Sequence, residues 1–271
     1  DTGMAGASRS LYMDGNATII AANKLLAAMR KEDGTLRTYD EMKAEGIETK
    51  YLGRYETNTT PGLCRLDPNT GIGDPTPAFT YCLNLAEVEV DTKTGKTTVL
   101  KFTCVDFVGR IGNIDAVNGQ AYSGIMHGIG FALKEDYADV KKHANMFGAG
   151  TSYIKDVPDD INLIHIDGAI SDGPFGSSGA SEAFQASGHC AVLNGIYNAC
   201  GVRIHEIPAL PEKVKAGLDA IAKGEKPYEP KKYFLGSDMY EELENIKENP
   251  VQVGTQSFYI SLDDPTAERP F

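Results

Sequence analysis

The sequence predicts an α+β fold in which mixed sheets pack against helices. Two alternating segments joined by a turn at residues 91–95 indicate a β-hairpin. Segments with helical spacing of apolar residues lie before and after this hairpin. Strands and helices of this kind, in one chain of 271 residues, are enough to form a sizeable core.

The N-terminal half predicts two helices and then the hairpin. Apolar residues at helical spacing predict a helix over 17–29, and 39–44 predicts a short second helix. Residues 55–76 are rich in Thr, Pro, Gly and Asn, which is typical of a long loop. The strands of the hairpin are predicted at 78–90 and 97–108.

The C-terminal half predicts three further helices and two short strands. Four interior glycines in the helix predicted over 115–137 indicate close packing against another backbone or a ligand. A strand over 161–166 precedes a Gly/Ser-rich loop, and a helix over 182–198 ends near Gly201. A strand over 202–207 precedes a helix that begins at Pro211. We expect residues 1–222 to form one region and 223–271 to be a linker, a short helix and a tail.

Composition excludes several classes of function. A net charge of −12 argues against a nucleic-acid partner, because phosphate binding requires an excess of Lys and Arg. No apolar run approaches the roughly 20 residues of a membrane span, so we expect no membrane partner. Five cysteines without a CxxC pair exclude a local iron–sulfur motif, and we expect a reducing, cytoplasmic location. The abrupt start at Asp1 leads us to expect a part of a longer protein.

The Gly/Ser-rich loop that ends at Glu182 is the most informative segment. Backbone N–H groups at such a loop-to-helix junction suit an anion or a polarised oxygen. A carboxylate on the first helical turn is favoured in its ionised form, so Glu182 would act as a base. The same pattern also fits an acidic residue that merely compensates a helix dipole.

Two other segments consist of small and polar residues. Gly6, Ala7, Ser8 and Arg9 would let a cofactor approach the backbone, or they could simply precede a helix. Gln120 lies among small residues, where its amide would hydrogen-bond either a heterocycle or the protein core. The five histidines show no metal-ligand spacing, so we expect no protein side chain to bind a metal.

Taken in order, these segments resemble the molybdenum hydroxylases, the xanthine oxidase family. The hairpin is followed by Val117-Asn118-Gly119-Gln120, and the loop ending in Glu182 comes about sixty residues later. The sequence of residues 176–182, Gly-Ser-Ser-Gly-Ala-Ser-Glu, is similar to that of aldehyde oxidoreductases of sulfate-reducing bacteria. It departs from the Gly-Glu-Pro-Pro form of the purine-hydroxylating members. The resemblance covers about residues 1–222 and implies a molybdopterin-binding domain of the aldehyde oxidoreductase type.

The resemblance implies a role for each segment. Glu182 would be the general base beside molybdenum, in an oxidation of aldehydes to carboxylic acids with water-derived oxygen and hydride transfer to the metal centre. The cofactor would be molybdopterin cytosine dinucleotide. Its binding residues would be Gly6, Ala7, Ser8, Arg9, Gln120, Gly179, Ala180 and Ser181. The cofactor's own sulfur atoms would hold the molybdenum.

The resemblance also implies parts that this sequence does not contain. The [2Fe-2S] clusters and the first half of the molybdenum-binding region would lie on N-terminal segments, and the enzyme would be a homodimer. We therefore expect the 271-residue chain to be inactive alone. The alternatives are a molybdenum hydroxylase acting on purines, heteroaromatics or carbon monoxide, and a non-catalytic assembly module that would carry no pterin.

Overall fold

The computed structural model describes residues 6–56, 78–139 and 141–225. The elements in these ranges confirm an α+β fold. In chain order they are α1 (Ser10–Met29), α2 (Tyr39–Ala44), β1 (Tyr81–Val90), β2 (Thr97–Phe107), α3 (Ile114–Leu133), β3 (Asp160–His165), α4 (Ser181–Ala186), α5 (Gly188–Cys200) and α6 (Pro211–Ala222). Single 3₁₀ turns lie at Ile154–Asp156 and Pro174–Gly176.

The three described strands form one mixed sheet in the order β1-β2-β3. β1 and β2 pair antiparallel, with Tyr81 opposite Phe107, and this confirms the predicted hairpin. β3 pairs parallel to β2, with Asp106 opposite His165. The carboxyl ends of β2 and β3 therefore meet at the same edge of the sheet.

One face of the sheet is covered by α3 and α5 and contains the core. Alternation along β2 turns Phe102 and Cys104 toward these helices, where both are fully buried. They pack with Ile125 and Ile129 of α3 and with Phe184 of α4. A second buried cluster joins the end of α5 to α6 through Ile196, Val202, Ala209 and Val214.

The opposite face of the sheet carries exposed apolar side chains at one end. Tyr81, Leu83 and Leu85 of β1 are each more than half exposed. Ile164 of β3 and the following Ile166 continue the apolar surface. Toward the other end the face becomes charged, with an ion pair of 3.2 Å between Lys101 and Asp160.

The glycines of α3 permit close contact between helices, as the sequence predicts. A methyl group at Gly124 would lie 2.5 Å from the Phe184 Cβ atom. One at Gly128 would lie 2.9 Å from the Cα atom of Gly188. α3 therefore contacts backbone here, and the roughly 0.5–1 kcal/mol cost of each helical glycine accompanies this packing.

The first helix is longer than predicted. It begins at Ser10 rather than at 17, although Gly15 and Asn16 have poor helix propensity. Tertiary contacts override that propensity. The Asn16 amide donates to the carbonyl of Asp172 at 2.9 Å, and a methyl group at Gly15 would meet the ring of Pro174 at 2.7 Å.

The helix predicted over 182–198 is in fact two helices. The backbone of Ser187 has φ −125° and ψ 1°, which breaks the helix between α4 and α5. The break lies where Gly188 packs against Gly128. The predicted stop at Gly201 is correct, because this residue adopts a left-handed conformation with φ 78°.

Two other predicted elements differ. The helix predicted to reach 137 ends at Leu133, because the Gly130 carbonyl accepts both Lys134 N–H and Glu135 N–H. The strand predicted over 202–207 does not form. That segment instead packs Val202 into the second core cluster and runs into a cis bond before Pro208. The predicted features at 57–76 and beyond 225, and the domain boundary at 222, are not tested by the described residues.

Candidate functional site

Glu182 lies at the second position of α4. Glu182 is exposed, whereas Phe184, two positions later, is fully buried in the core. The core thus anchors the helix that presents the carboxylate. α4 has only six residues, so its dipole contributes less than the long helix predicted from the sequence would.

Ser8 of the N-terminal segment contacts Glu182 twice. The Ser8 hydroxyl donates to Glu182 Oε2 at 2.9 Å, and the backbone N–H of Glu182 donates to Ser8 Oγ at 3.1 Å. The hydroxyl of Ser181 lies 3.1 Å from Ser8 Oγ. Because the single Ser8 proton is used on the carboxylate, Ser181 is the donor of this third bond. Two of the three predicted segments therefore meet in the structure.

Gly179 makes this contact possible. A methyl group at position 179 would lie 1.5 Å from the carbonyl oxygen of Ser8, so only glycine lets the loop approach so closely. Ala7 and Ser8 both have positive φ, 54° and 52°, an uncommon conformation for residues other than glycine. The turn is closed by a hydrogen bond from Arg9 N–H to the Gly6 carbonyl at 3.3 Å.

The Gly/Ser-rich loop is held from two sides. The carbonyl of Gly176 accepts from the N–H groups of Arg110 and Ile170 at 2.8 and 3.0 Å. The Ser177 hydroxyl donates to the Arg110 carbonyl at 2.6 Å. From the other side, Asn16 of α1 binds Asp172. The loop is therefore fixed to the end of β2 and to α1 before it reaches Glu182.

Gln120 is exposed on α3, so it is not a buried core amide. Its place on the helix follows from the glycine contacts. Gly124 contacts Phe184 and Gly128 contacts Gly188. α3 and the segment that contains α4 and the start of α5 therefore run side by side in the same direction. Gln120 lies one helical turn before Gly124 in α3. Ala180 lies four residues before Phe184, at the end of the loop that leads into α4. Gln120 thus belongs to the end of α3 nearest the loop.

A buried polar group near this site was not predicted. Asp106 Oδ2 lies 2.7 Å from Nδ1 of His165, whose Nε2 lies 2.7 Å from Oδ1 of Asn118. Burial raises the pKa of Asp106, and the hydrogen bond to His165 partly opposes that rise. The sequence did contain a signal, because Asp106 follows Phe102 and Cys104 at the inward positions of β2.

Other polar features of the described residues do not join the site. His127 is exposed, and its Nδ1 lies 3.2 Å from the Gln185 amide. In the described ranges no three His, Cys, Asp or Glu side chains cluster as a metal site would require. No helix of the described residues is both long and apolar enough to cross a bilayer.

Comparison with known proteins identifies the family of this chain. The family model of the molybdopterin cofactor-binding domain matches residues 1–158. An aldehyde oxidoreductase of Megalodesulfovibrio gigas is 43% identical over 220 residues, which are 81% of this chain and 24% of that protein. A probable hypoxanthine oxidase of Escherichia coli is 30% identical over 151 residues, or 54% of this chain and 16% of that protein.

Solved structures agree with these matches. The aldehyde oxidoreductase of Desulfovibrio desulfuricans superposes with a TM-score of 0.75 and 44% identity, over 79% of this chain and 23% of that one. The Desulfovibrio gigas enzyme superposes with a TM-score of 0.77 and 43% identity, over 80% and 24%. This chain therefore spans about a quarter of the length of these relatives.

Proposed function

Because this chain belongs to the molybdopterin cofactor-binding domain family of the molybdenum hydroxylases, we propose that it supplies the catalytic base and part of the pterin site of an aldehyde oxidoreductase. Two enzymes named aldehyde oxidoreductase are 43% and 44% identical to it over about four fifths of the chain. The observation that carries the proposal is the contact between Ser8 and Glu182. It joins two segments that are distant in sequence and that resemble the family's cofactor-binding segments.

The polar groups at the site are compatible with a pterin, and we propose the cytosine dinucleotide form because the family resemblance implies it. The amide of Gln120 can donate to and accept from a heterocycle, and the Ser181 oxygen can accept from one. The Ser8 hydroxyl already uses its proton and both lone pairs within the site, so Ser8 would meet the cofactor through its backbone. Gly6, Ala7, Arg9, Gly179 and Ala180 would complete the binding surface. The tight turn at Ala7 and Ser8 and the exposure of Gln120 leave backbone and side chain accessible to such a ligand. When bound, the cofactor supplies the two-electron acceptor for oxidation of the aldehyde.

Glu182 would act as the general base. Its residue is exposed, so the carboxylate can reach a proton outside the protein core. The Ser8 hydroxyl holds Oε2 while the Glu182 N–H holds Ser8, and this pair of bonds fixes the orientation of the carboxylate. Proton transfer to a positioned base of this kind contributes about 10²–10⁴-fold to a rate.

The rest of the enzyme would lie outside this chain, which spans about a quarter of its relatives. We propose that N-terminal segments carry the [2Fe-2S] clusters and the first half of the molybdenum-binding region, and that the enzyme is a homodimer. The exposed apolar end of the sheet, around Leu83 and Ile164, supports a contact with one of these missing parts or with a second subunit, because contiguous exposed apolar surface marks interaction sites.

The proposal is tested by changing Glu182→Gln in the full-length protein. We expect aldehyde oxidation to fall by about 10²–10⁴-fold while molybdenum and pterin content stay unchanged. Glu212→Gln is the matched control, because Glu212 is also an exposed acidic residue at the second position of a helix, α6. Full activity in Glu182→Gln would exclude Glu182 as the base.

Two alternatives give different results in the same experiment. The likeness to a probable hypoxanthine oxidase favours tests with purines beside aldehydes, and a higher kcat/KM for a purine would replace the aldehyde proposal. Protein that contains neither molybdenum nor pterin would instead indicate an assembly module, in which the small residues serve only packing.

A further inference from the structure

The buried group formed by Asp106, His165 and Asn118 lies at the edge of the sheet nearest the site. Asp106 is the penultimate residue of β2, and His165, the last residue of β3, is its parallel partner. Asn118 lies in the second turn of α3, two residues before Gln120. The group therefore connects the sheet to the part of α3 that the proposed function assigns to the pterin.

This group is poorly explained as core packing. The Asp106 side chain is 0% exposed, and the His165 side chain is 12% exposed. Among the described residues no donor reaches Asp106 Oδ1. A buried carboxyl group with an unpaired oxygen is costly, and apolar side chains of similar volume usually serve stability at least as well. A role beyond stability is therefore indicated.

The hydrogen bonds define what the group does. Both ring nitrogens of His165 face oxygen atoms at 2.7 Å, and with the Asn118 amide in this orientation one proton lies between Nδ1 and Asp106 and another lies on Nε2. Asp106 and His165 together then carry no net charge. The nearby titratable groups on β1 and β2 are the thiols of Cys82, opposite Asp106, and Cys104. In this arrangement the Nε2–H group donates to the amide oxygen of Asn118.

At the start of α3, Val117 packs partly buried against the main core cluster. Residues 112–116 are exposed, and Asn113 caps the helix by accepting from the Ala116 N–H at 2.9 Å. A methyl group at Gly119 would meet nothing within 4 Å. Full burial on this helix begins at Ala121. The hydrogen bond from His165 is thus a direct tie between the sheet and the turn before Gln120.

We propose that His165 is a positioning residue of the cofactor site: supported by Asp106, it fixes Asn118 and thereby the turn of α3 that carries Gln120. This inference rests on the proposed function for its ligand, but the hydrogen-bonded group itself is a property of the chain. The two can therefore be tested separately.

The group is tested first in the 271-residue chain labelled with ¹⁵N at histidine. We expect His165 to show two ring N–H resonances protected from exchange, and the Asn118→Ala substitution to shift the Nε2–H resonance while Nδ1–H persists. A single ring N–H at neutral pH, or no response to Asn118→Ala, would overturn the inference whatever the function.

The consequence for the cofactor is tested in the full-length enzyme. We expect His165→Ala and Asn118→Ala each to weaken pterin binding by about tenfold, so that less pterin is retained, by analogy with the loss of affinity when residues that support metal ligands are removed. The double substitution should lose no more than either single one, because both remove the same tie. Asn118 is only partly buried, so its variant keeps the test valid if His165→Ala unfolds.

His143→Ala is the matched control. His143 is 15% exposed and lies 3.7 Å from Asp136, so it resembles His165 in burial and in its acidic neighbour. Pterin content should remain normal in this variant. Equal pterin loss in the control, or normal pterin in both His165→Ala and Asn118→Ala, would overturn the positioning role. A parent enzyme without pterin would instead contradict the proposed function, while the histidine resonances would still report on the group.

Discussion

The two sides of the contact between Ser8 and Glu182 are supported very differently. On the Glu182 side, α4 is anchored by Phe184, and the two buried clusters together draw all their members from residues 82–218. On the Ser8 side, α1 buries a single residue, Tyr12. That segment is tied to the loop mainly by Gly15 against Pro174 and by the Asn16 amide.

Because of this difference, the position of Glu182 and its hydrogen bonds with Ser8 depend on different parts of the structure. The core determines where Glu182 lies, so its position should persist as long as the domain is folded. The hydrogen bonds from Ser8 depend on a segment outside the main clusters, and such segments open with lower free energies than the core. The site can therefore be dismantled without unfolding the protein.

The largest effect is expected from Phe184→Ala. Removing this fully buried ring should lower the free energy of unfolding by about 3–5 kcal/mol, because a cavity would remain between α3 and the sheet. Denaturant unfolding measures the change. Phe147→Ala is the control, since Phe147 is 84% exposed, and it should change stability by less than about 0.5 kcal/mol. Similar losses in the two variants would mean that α4 is not anchored by the core.

Gly179→Ala should break the contact and spare the core. Its methyl group would overlap the Ser8 carbonyl, so the N-terminal turn must move away. We expect faster amide exchange near Ser8 and α1, with the main unfolding transition unchanged within about 0.5 kcal/mol. Gly112→Ala, where a methyl group meets nothing within 4 Å, should alter neither. A large loss of global stability in Gly179→Ala would show that the two regions unfold together.

The two regions should also respond oppositely to pH. Burial raises the pKa of Asp106, so the folded core holds a proton that the unfolded chain releases. The contribution of the protonated Asp106 carboxyl to the free energy of unfolding is fully present below the pKa of the unfolded chain. It is lost as pH rises through the pKa of the folded state, at up to about 1.4 kcal/mol per pH unit. The Asp106→Asn variant should lack this slope in unfolding experiments run as a function of pH. An unchanged slope would assign the effect to other groups.

In the N-terminal segment the sign is reversed. The hydrogen bond from Lys31 lowers the pKa of Glu41 to about 2. The contribution of Glu41 to α2 is therefore present above its unfolded pKa and is lost as pH falls toward 2. Amide exchange at α2 should accelerate on acidification, and Glu41→Gln should remove that dependence. Acceleration on raising the pH instead would contradict the sign.

The smallest effect is expected at the cap of α2. Thr38 and Glu41 form a reciprocal capping box at the start of this helix. Thr38→Ala should destabilise α2 by about 1 kcal/mol, which amide exchange would detect locally. The unfolding of the core should not change, because α2 contributes to neither buried cluster. A matching shift in the core transition would show that the N-terminal segment is part of the same cooperative unit.

The sequence revealed the parts of the fold that depend on local pattern. Alternation predicted the hairpin, and Gly201 and Pro211 correctly marked the end of α5 and the start of α6. The early start of α1 and the break at Ser187 were missed because both depend on contacts with distant backbone. Periodicity within a segment carries no information about such contacts.

The candidate site divides in the same way. Small residues marked its segments, and the family resemblance connected them. The fit of Gly179 on Ser8 could not be read from the sequence, because it requires the three-dimensional approach of two loops. The group of Asp106, His165 and Asn118 was missed because its members lie on three different elements. The roles of Glu182 and the pterin-binding residues remain predictions that the experiments above address.

The bond between Ser8 and Glu182 also bears on the order of folding, because it joins residues 174 positions apart. Closing so long a loop in an unfolded chain is entropically unfavourable, and each doubling of loop length adds about 0.6 kcal/mol. Once β1 to α6 have folded as one body, the segment that must close runs only from Ser8 to β1, less than half that length. The N-terminal turn should therefore dock after the core has formed. During synthesis Ser8 leaves the ribosome before Glu182, but the contact between them should form among the last steps in the folding of this region.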